Sequence, residues 1–257
     1  MRVVDFDIPE LKSMKKYPDK LYVKGNIELL KRPKISIVGT RRPSAYTKRY
    51  TYELAKSISS RGVTIVSGAA MGVDAIAHQG ATTHNTIAVM ANSLNFRYPS
   101  VNKNLIEDIE KNGLTISQFE SDFRATAWSF VLRNEIVVSL GESLIITEAD
   151  EDSGSMRSAE YAIKMGKKIY VLPHQLGDSS GTNQLLRDGL AEPIYDIERF
   201  ASQFGQAVEC DIPKDDFFYF CQKSPTLDET IENFGDRIYE AELDGLVKIE
   251  NGLVKLV

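Results

Sequence analysis

Cysteine is scarce in this sequence. Cys210 and Cys221 are the only two in 257 residues. That is too few for a disulfide framework, and no histidine or further cysteine stands near them at the spacing of a structural zinc site. Two reduced thiols are the expectation. No run of about 18 apolar residues occurs, so no membrane-spanning helix is predicted. Residues 1–10 carry Asp5, Asp7 and Glu10 and lack the apolar stretch of a signal peptide, which predicts a cytoplasmic protein. The three histidines, His78, His84 and His174, have no metal-ligand spacing. Neither the dinucleotide glycine fingerprint nor a Gly-Lys-Ser phosphate loop is present, and Ser67 stands in no Gly-x-Ser-x-Gly context. The expectation is therefore no catalytic residue, no cofactor and no metal.

Charge is present but unevenly spread. The formal net charge of −5 argues against a polyanionic partner, yet residues 1–50 hold 13 Lys/Arg against 5 Asp/Glu, and residues 208–257 hold 5 against 12. Such asymmetry is more informative than the total. It points to an anion site in the N-terminal half and to a C-terminal piece that does not seek phosphate.

Short segments rich in Val and Ile alternate with helical stretches of about ten residues or more from residue 34 to residue 205. That alternation predicts a mostly parallel, doubly wound sheet of extended Rossmann-like type, α/β in class, after a basic N-terminal extension at 1–33. Near 205–213 the pattern breaks. Residues 211–257 read as three short helices and a hairpin turning at Glu250-Asn251-Gly252, a winged-helix-like C-terminal domain. Sheets of the parallel kind bind ligands at the carboxyl ends of their strands. The loops after Val38, Val66, Thr147 and Leu172 are thus the places to look.

The first of these loops reads Gly39-Thr40-Arg41-Arg42-Pro43, where two guanidinium forks follow a tight turn. The second, Ser67 to Asp74, sets small residues before a helix, leaving N–H groups free for an anion; Asp74 reads as a helix-start cap. The third places Ser153-Gly154-Ser155 before another helix. In Trp128 to Asn134, the aromatics Trp128 and Phe130 either stack on nucleobases beside Arg133 and Asn134 or belong to the core. The acidic run Glu148, Asp150, Glu151 and Asp152 reads as a solvated loop.

Taken together, these stretches resemble the DNA-processing protein family DprA/Smf. The match rests on Ile37 to Arg41, Val66 to His78, Tyr98-Pro99, Phe130 to Asn134, Ser153 to Ser155, and Gly181 to Leu186 with Gly189. The resemblance implies single-stranded DNA binding, homodimerisation, and delivery of a RecA-type recombinase onto incoming DNA in natural transformation, without an enzymatic step. It implies a DNA-contacting role for Arg41, with Gly39, Thr40 and Arg42 around it. It puts a phosphate pocket on Ser67, Gly68, Ala69 and Gly72, contacts at Phe130, Arg133 and Asn134, and a basic contact at Lys164. Glu135 and Ala127 stand where the family carries basic residues. The competing reading is a nucleotide-hydrolysing enzyme of the phosphoribohydrolase type; its Pro-Gly-Gly-x-Gly-Thr motif is absent, and the corresponding place reads Pro173-His174-Gln175.

Overall fold

The computed structural model describes residues 2–206, 216–221, 224–243, 245–250 and 252–256, with Tyr219 and Leu243 as backbone only. Cys210, Asp244, Asn251 and most of the expected break at 205–213 lie outside the described residues. The chain divides into two compact units, Met1–Ala207 and Val208–Val257.

In the first unit the strands are β1 (Arg2–Val3), β2 (Tyr22–Gly25), β3 (Lys34–Val38), β4 (Thr64–Ser67), β5 (Thr86–Val89), β6 (Leu114–Ser117), β7 (Leu144–Ile146), β8 (Ile169–Val171) and β9 (Glu192–Pro193). The helices are α1 (Ala45–Ser59), α2 (Val73–Gly80), α3 (Lys103–Asn112), α4 (Ala127–Leu140), α5 (Gly154–Lys164), α6 (Ser180–Arg187) and α7 (Ile197–Ala201). The strands form one sheet in the order β1-β2-β6-β5-β4-β3-β7-β8-β9. From β6 to β9 all pairings are parallel. The chain moves outward from β3 through β4 and β5 to β6, then returns to lay β7 on the other side of β3. That reversal is a topological switch point, where flanking loops diverge and open a crevice.

The parallel strands are buried on both faces, as their near-continuous Val/Ile content requires. One apolar cluster joins α1, α2 and α7 through Leu54, Ile58, Val73 and Phe200; another joins α4 and α5 through Ile136, Val138, Ala159 and Ala162. Helix α4 begins at Ala127, two residues before the expected Ser129, because the Ser129 hydroxyl accepts from the Thr126 N–H at 2.9 Å and closes the first turn early. Its far end is capped by Lys167, whose ammonium donates to the carbonyls of Val138, Ser139 and Gly141.

The N-terminal residues are a correction to the sequence reading. They do not precede the domain at 1–33 but complete its sheet: β2 pairs antiparallel with β6, and β1 with β2. Ile8, Leu11, Leu21, Val23, Leu29 and Leu30 are all buried in the α4 side of the core. The positive charge of this basic extension is carried by the intervening exposed lysines, while Lys34 is buried and paired with Glu10 at 2.6 Å. Glu135 explains itself here: it is buried on α4 and accepts from the Lys15 N–H at 3.0 Å, fastening this segment.

The second unit contains α8 (Asp216–Cys221), α9 (Leu227–Phe234), α10 (Arg237–Leu243) and an antiparallel hairpin of β10 (Val247–Glu250) and β11 (Leu253–Leu256). Its core gathers Phe217, Phe218, Ile238, Val247 and Val254, with Ile231, Phe234 and Leu246 packed against it. Cys221 is buried.

Candidate nucleic-acid interface

The loops after β3, β4 and β7 converge at the switch point, and backbone hydrogen bonds lock them together. The Thr40 N–H donates to the Glu148 carbonyl at 2.8 Å, and the Val73 N–H donates to the Thr40 carbonyl at 3.1 Å. The Glu148 carboxylate accepts from both the N–H and the hydroxyl of Ser44 at 3.0 and 2.9 Å. Glu148 is therefore a clasp between two loops rather than a member of a solvated acidic run. Asp150, Glu151 and Asp152 are exposed, as that reading expects. Gly72 has φ +78°, and a Cβ there would stand 2.5 Å from the Thr40 carbonyl oxygen, so the second loop can press on the first only with glycine.

Between these loops and α4 lies a crevice of about 840 Å³. Its floor holds a buried ion pair. Arg133 and Asp74 are 5% and 9% exposed at the side chain and stand 3.6 Å apart. The Arg133 Nη1 group also reaches the Val89 carbonyl at 3.4 Å, while its Nε–H has no partner among the described residues. Gly68 makes this arrangement possible: a Cβ at that position would lie 1.2 Å from Nη1 of Arg133. Asp74 also accepts from the Ala70 N–H at 3.3 Å, closing the glycine loop. Burial pushes the Asp74 carboxyl above its ordinary range, opposed chiefly by Arg133. Burial likewise pushes Arg133 downward, with Asp74 opposing and Arg41 adding to the fall. Neighbouring His78 is driven down to about 3, by burial first and by Arg133 second. Its Nδ1 meets the Thr86 hydroxyl at 2.6 Å, while Nε2 has no partner among the described residues.

Phe130 is half-buried in the crevice wall, with two guanidinium groups over its ring, Arg41 at 5.3 Å and Arg133 at 5.7 Å from the centroid. Tyr98 lies beside it at 6.2 Å. Arg41 is exposed and makes no ion pair among the described residues. Across the crevice, α5 begins with Ser153 as its N-cap, whose hydroxyl accepts from the Met156 N–H at 3.4 Å. The first N–H groups of a helix have no carbonyl partner within it, and Ser153, Gly154 and Ser155 at this helix start line the crevice. Asn134 bridges the two walls, donating to the Gly154 carbonyl at 3.4 Å.

Of the residues predicted for the site, Gly39, Thr40, Arg41, Gly68, Phe130, Arg133, Asn134, Ser153, Gly154 and Ser155 line this one crevice. Ser67 does not: it is buried in β4, and its hydroxyl donates to the Ile37 carbonyl at 2.7 Å. Ala69 is buried behind the loop at φ +55°, and Gly72 packs on the loop's back. Arg42 is exposed outside the crevice, its N–H donating to the Thr40 hydroxyl at 3.3 Å. Lys164 is the last residue of α5, about 16 Å along the helix from Ser153, and is not among the residues that line the crevice. Two charged residues of the lining were missed. Asp74, read as a cap, is the counterion of Arg133. Arg157 lies on the crevice side of α5 and follows from the helical period, three residues after Gly154.

One further motif is resolved by geometry. Gly177-Asp178-Ser179-Ser180-Gly181 has the form Gly-x-Ser-x-Gly, and Ser179 sits at φ +49°. Its buried hydroxyl, however, accepts from the Ala149 N–H at 2.9 Å and meets the Thr182 hydroxyl at 2.6 Å. It ties two loops together and makes no hydrogen bond to a histidine among the described residues. Among the described residues no cluster of His, Cys, Asp or Glu could hold a metal ion, and no helix is long and apolar enough to cross a membrane.

Residues 3–205 match the family described as DNA recombination-mediator protein A. The chain is 32% identical to Protein Smf of Escherichia coli over 91% of its own length, and 35% identical to the DNA processing protein DprA of Bacillus subtilis over 73%. It spans 65% of the length of each of these relatives, just under two thirds. Among solved structures it is similar to DNA processing protein A of Helicobacter pylori, described for its single-stranded DNA binding mode, at 41% identity and a TM-score of 0.77, covering 79% of this chain and 94% of that one. It is also similar to DprA of Streptococcus pneumoniae, at 30% identity and a TM-score of 0.71, covering 77% and 70%.

Proposed function

Because the chain belongs to the DNA recombination-mediator protein A family, we propose that its switch-point crevice binds single-stranded DNA. The observation that carries this reading is the pairing of Arg41, exposed and without an ion-pair partner among the described residues, with the half-buried face of Phe130. A cation and an aromatic face side by side match the alternation of phosphate and base along an unpaired strand. Arg41 and the first turn of α5 take phosphates, with Arg157 adding charge. Arg133, held below by Asp74, contributes field more than direct contact. A duplex hides the base faces and is bound less well.

In the same reading the protein acts as a homodimer that helps place a RecA-type recombinase on incoming DNA during natural transformation, without a catalytic step. The acidic second unit, a winged-helix-like module in this reading, serves protein contact: phosphate repulsion opposes entry of α10, which carries Glu240 and Glu242, into a DNA groove.

The test is a pair of binding isotherms, oligothymidine against blunt duplex, across a salt series. Single strands bind more tightly, and log affinity falls with log salt by about 0.7 per neutralised phosphate. Arg41→Ala weakens oligothymidine binding by about tenfold to a hundredfold, the worth of a charge-assisted contact. Equal affinity for the duplex, or an Arg41→Ala isotherm within twofold of the parent, rejects the reading.

A further inference from the structure

Trp128 stands on the crevice and takes no part in the ion-pair floor or the Arg41–Phe130 wall. It is the only tryptophan in the chain, and it is 53% exposed. A core role is therefore excluded, yet the ring is held in place. Phe119 and Phe123 stack on each other at 4.3 Å and 11°, and the indole meets both nearly at right angles, at 5.6 and 5.4 Å. Phe119 is buried, so the support is anchored in the core. The indole makes no hydrogen bond among the described residues.

Its position on α4 is informative. Successive residues turn by about 100° around a helix. The residues of α4 that line the crevice then form a continuous arc, from Arg133 through Phe130 and Asn134 to Val131, with Trp128 closing it. Arg133 and Trp128 mark its two margins, roughly 220° apart by way of Phe130 on a helix about 10 Å across. A strand that leaves the arginine end across the open first turns of α4 passes over the indole.

We infer that Trp128 is a second base-stacking platform, at the margin of the crevice opposite Arg133. This rests on the reading that the crevice binds single strands, and it assigns the direction the strand takes on leaving. The indole is pre-oriented by the two phenylalanines, so stacking on it orders little that is not already ordered.

The experiment uses the full chain and follows two signals, anisotropy of a labelled oligothymidine and emission of the lone tryptophan. Emission is quenched along the same isotherm as the anisotropy rise. Trp128→Ala weakens oligothymidine binding fivefold or more, the lower end for a lost base stack; Trp128→Phe restores most of it, and Trp128→Leu does not. For an abasic oligomer of equal length the parent and Trp128→Ala bind alike, because no base is present to stack. A misfolded variant loses both ligands, so that contrast separates stacking from structural damage, and an equal loss on both ligands overturns the inference. Oligothymidine binding with unchanged emission, or Trp128→Ala within twofold of the parent, overturns it while leaving the crevice reading intact. No binding of oligothymidine by the parent protein overturns both.

Discussion

Replacing Gly68 by alanine tests the floor of the crevice. The added Cβ would stand 1.2 Å from Nη1 and 2.2 Å from Cζ of Arg133, and 2.7 Å from the Asp74 carboxylate. A shift of a few tenths of an ångström cannot relieve contacts of that depth. The residue follows β4, which is hydrogen-bonded on both sides, so the backbone cannot retreat. The guanidinium must leave, and Asp74 stays buried without its counterion. Ordinary overpacking costs about 1–3 kcal/mol; a buried pair broken from one side costs about 3–5 kcal/mol. The second effect dominates, so Gly68→Ala is expected to cost the first unit about 3–5 kcal/mol. Urea denaturation followed by Trp128 emission reads this unit alone, because the chain's one tryptophan lies within it. Two internal checks follow. In an Arg133→Ala background the same substitution costs less than in the parent, because the guanidinium contacts are gone and only the 2.7 Å approach to the Asp74 carboxylate remains. The deficit of Gly68→Ala relative to the parent also shrinks as pH is lowered from 7 toward the carboxylate range. Asp74 already titrates above its ordinary value and rises further without Arg133. A group whose folded pKa is raised favours the folded state at low pH and loses that contribution as pH rises. A Gly68→Ala midpoint equivalent to less than 1 kcal/mol of destabilisation would refute the seat assigned to Arg133.

Phe130→Ala is expected to weaken oligothymidine binding with only a small fall in Tm, because the ring is half-buried; a collapse of Tm comparable to that of a core deletion would return Phe130 to the core. His78 titrates near 3 in the folded protein against about 6.5 in the unfolded chain, so the unfolded chain takes up a proton first and stability falls from pH 6.5 toward pH 3, by up to about 1.4 kcal/mol per unit. Urea midpoints across that range should fall more steeply for the parent than for His78→Asn, and equal slopes would refute the assignment. Deletion after Gln206 leaves oligothymidine affinity within about threefold, under 1 kcal/mol, whereas a tenfold loss would show that the acidic unit takes part in binding.

The parallel sheet and its switch point were legible because Val- and Ile-rich strands buried on both faces leave an unmistakable pattern, and glycine-bearing loops after β3 and β4 marked the strand ends. That Arg41 lines the crevice follows in the same way from residue chemistry at a loop, whereas residue chemistry alone left Phe130 open between the crevice and the core. Three things could not be found in this way. Strand β2 has its partner near residue 115, and nothing local in 1–33 announces pairing at that distance. Arg133 and Asp74 meet only because α4 crosses the mouth of the β4 loop, so sequence reading assigned one to ligand binding and the other to a helix cap. Lys164 was assigned by resemblance alone, and helix geometry carries it a full helix length from the opening.

The antiparallel edge of the sheet also bears on how the chain is made. The partners Tyr22 and Ser117 are about 95 residues apart, against about 30 for Lys34 and Thr64 in the adjoining parallel pair. Closing the longer loop costs about 1 kcal/mol more in chain entropy. During synthesis β1 and β2 can pair with each other, but β2 has no place in the larger sheet until β6 has left the ribosome. Until then β6's future neighbour is a free, apolar segment, and a nascent chain halted before residue 114 carries Ile8, Leu11 and Leu21 in water. A strand translated long before its partner is thus among the last parts of the sheet to be sheltered, which makes this segment the natural client for whatever holds nascent chains apart.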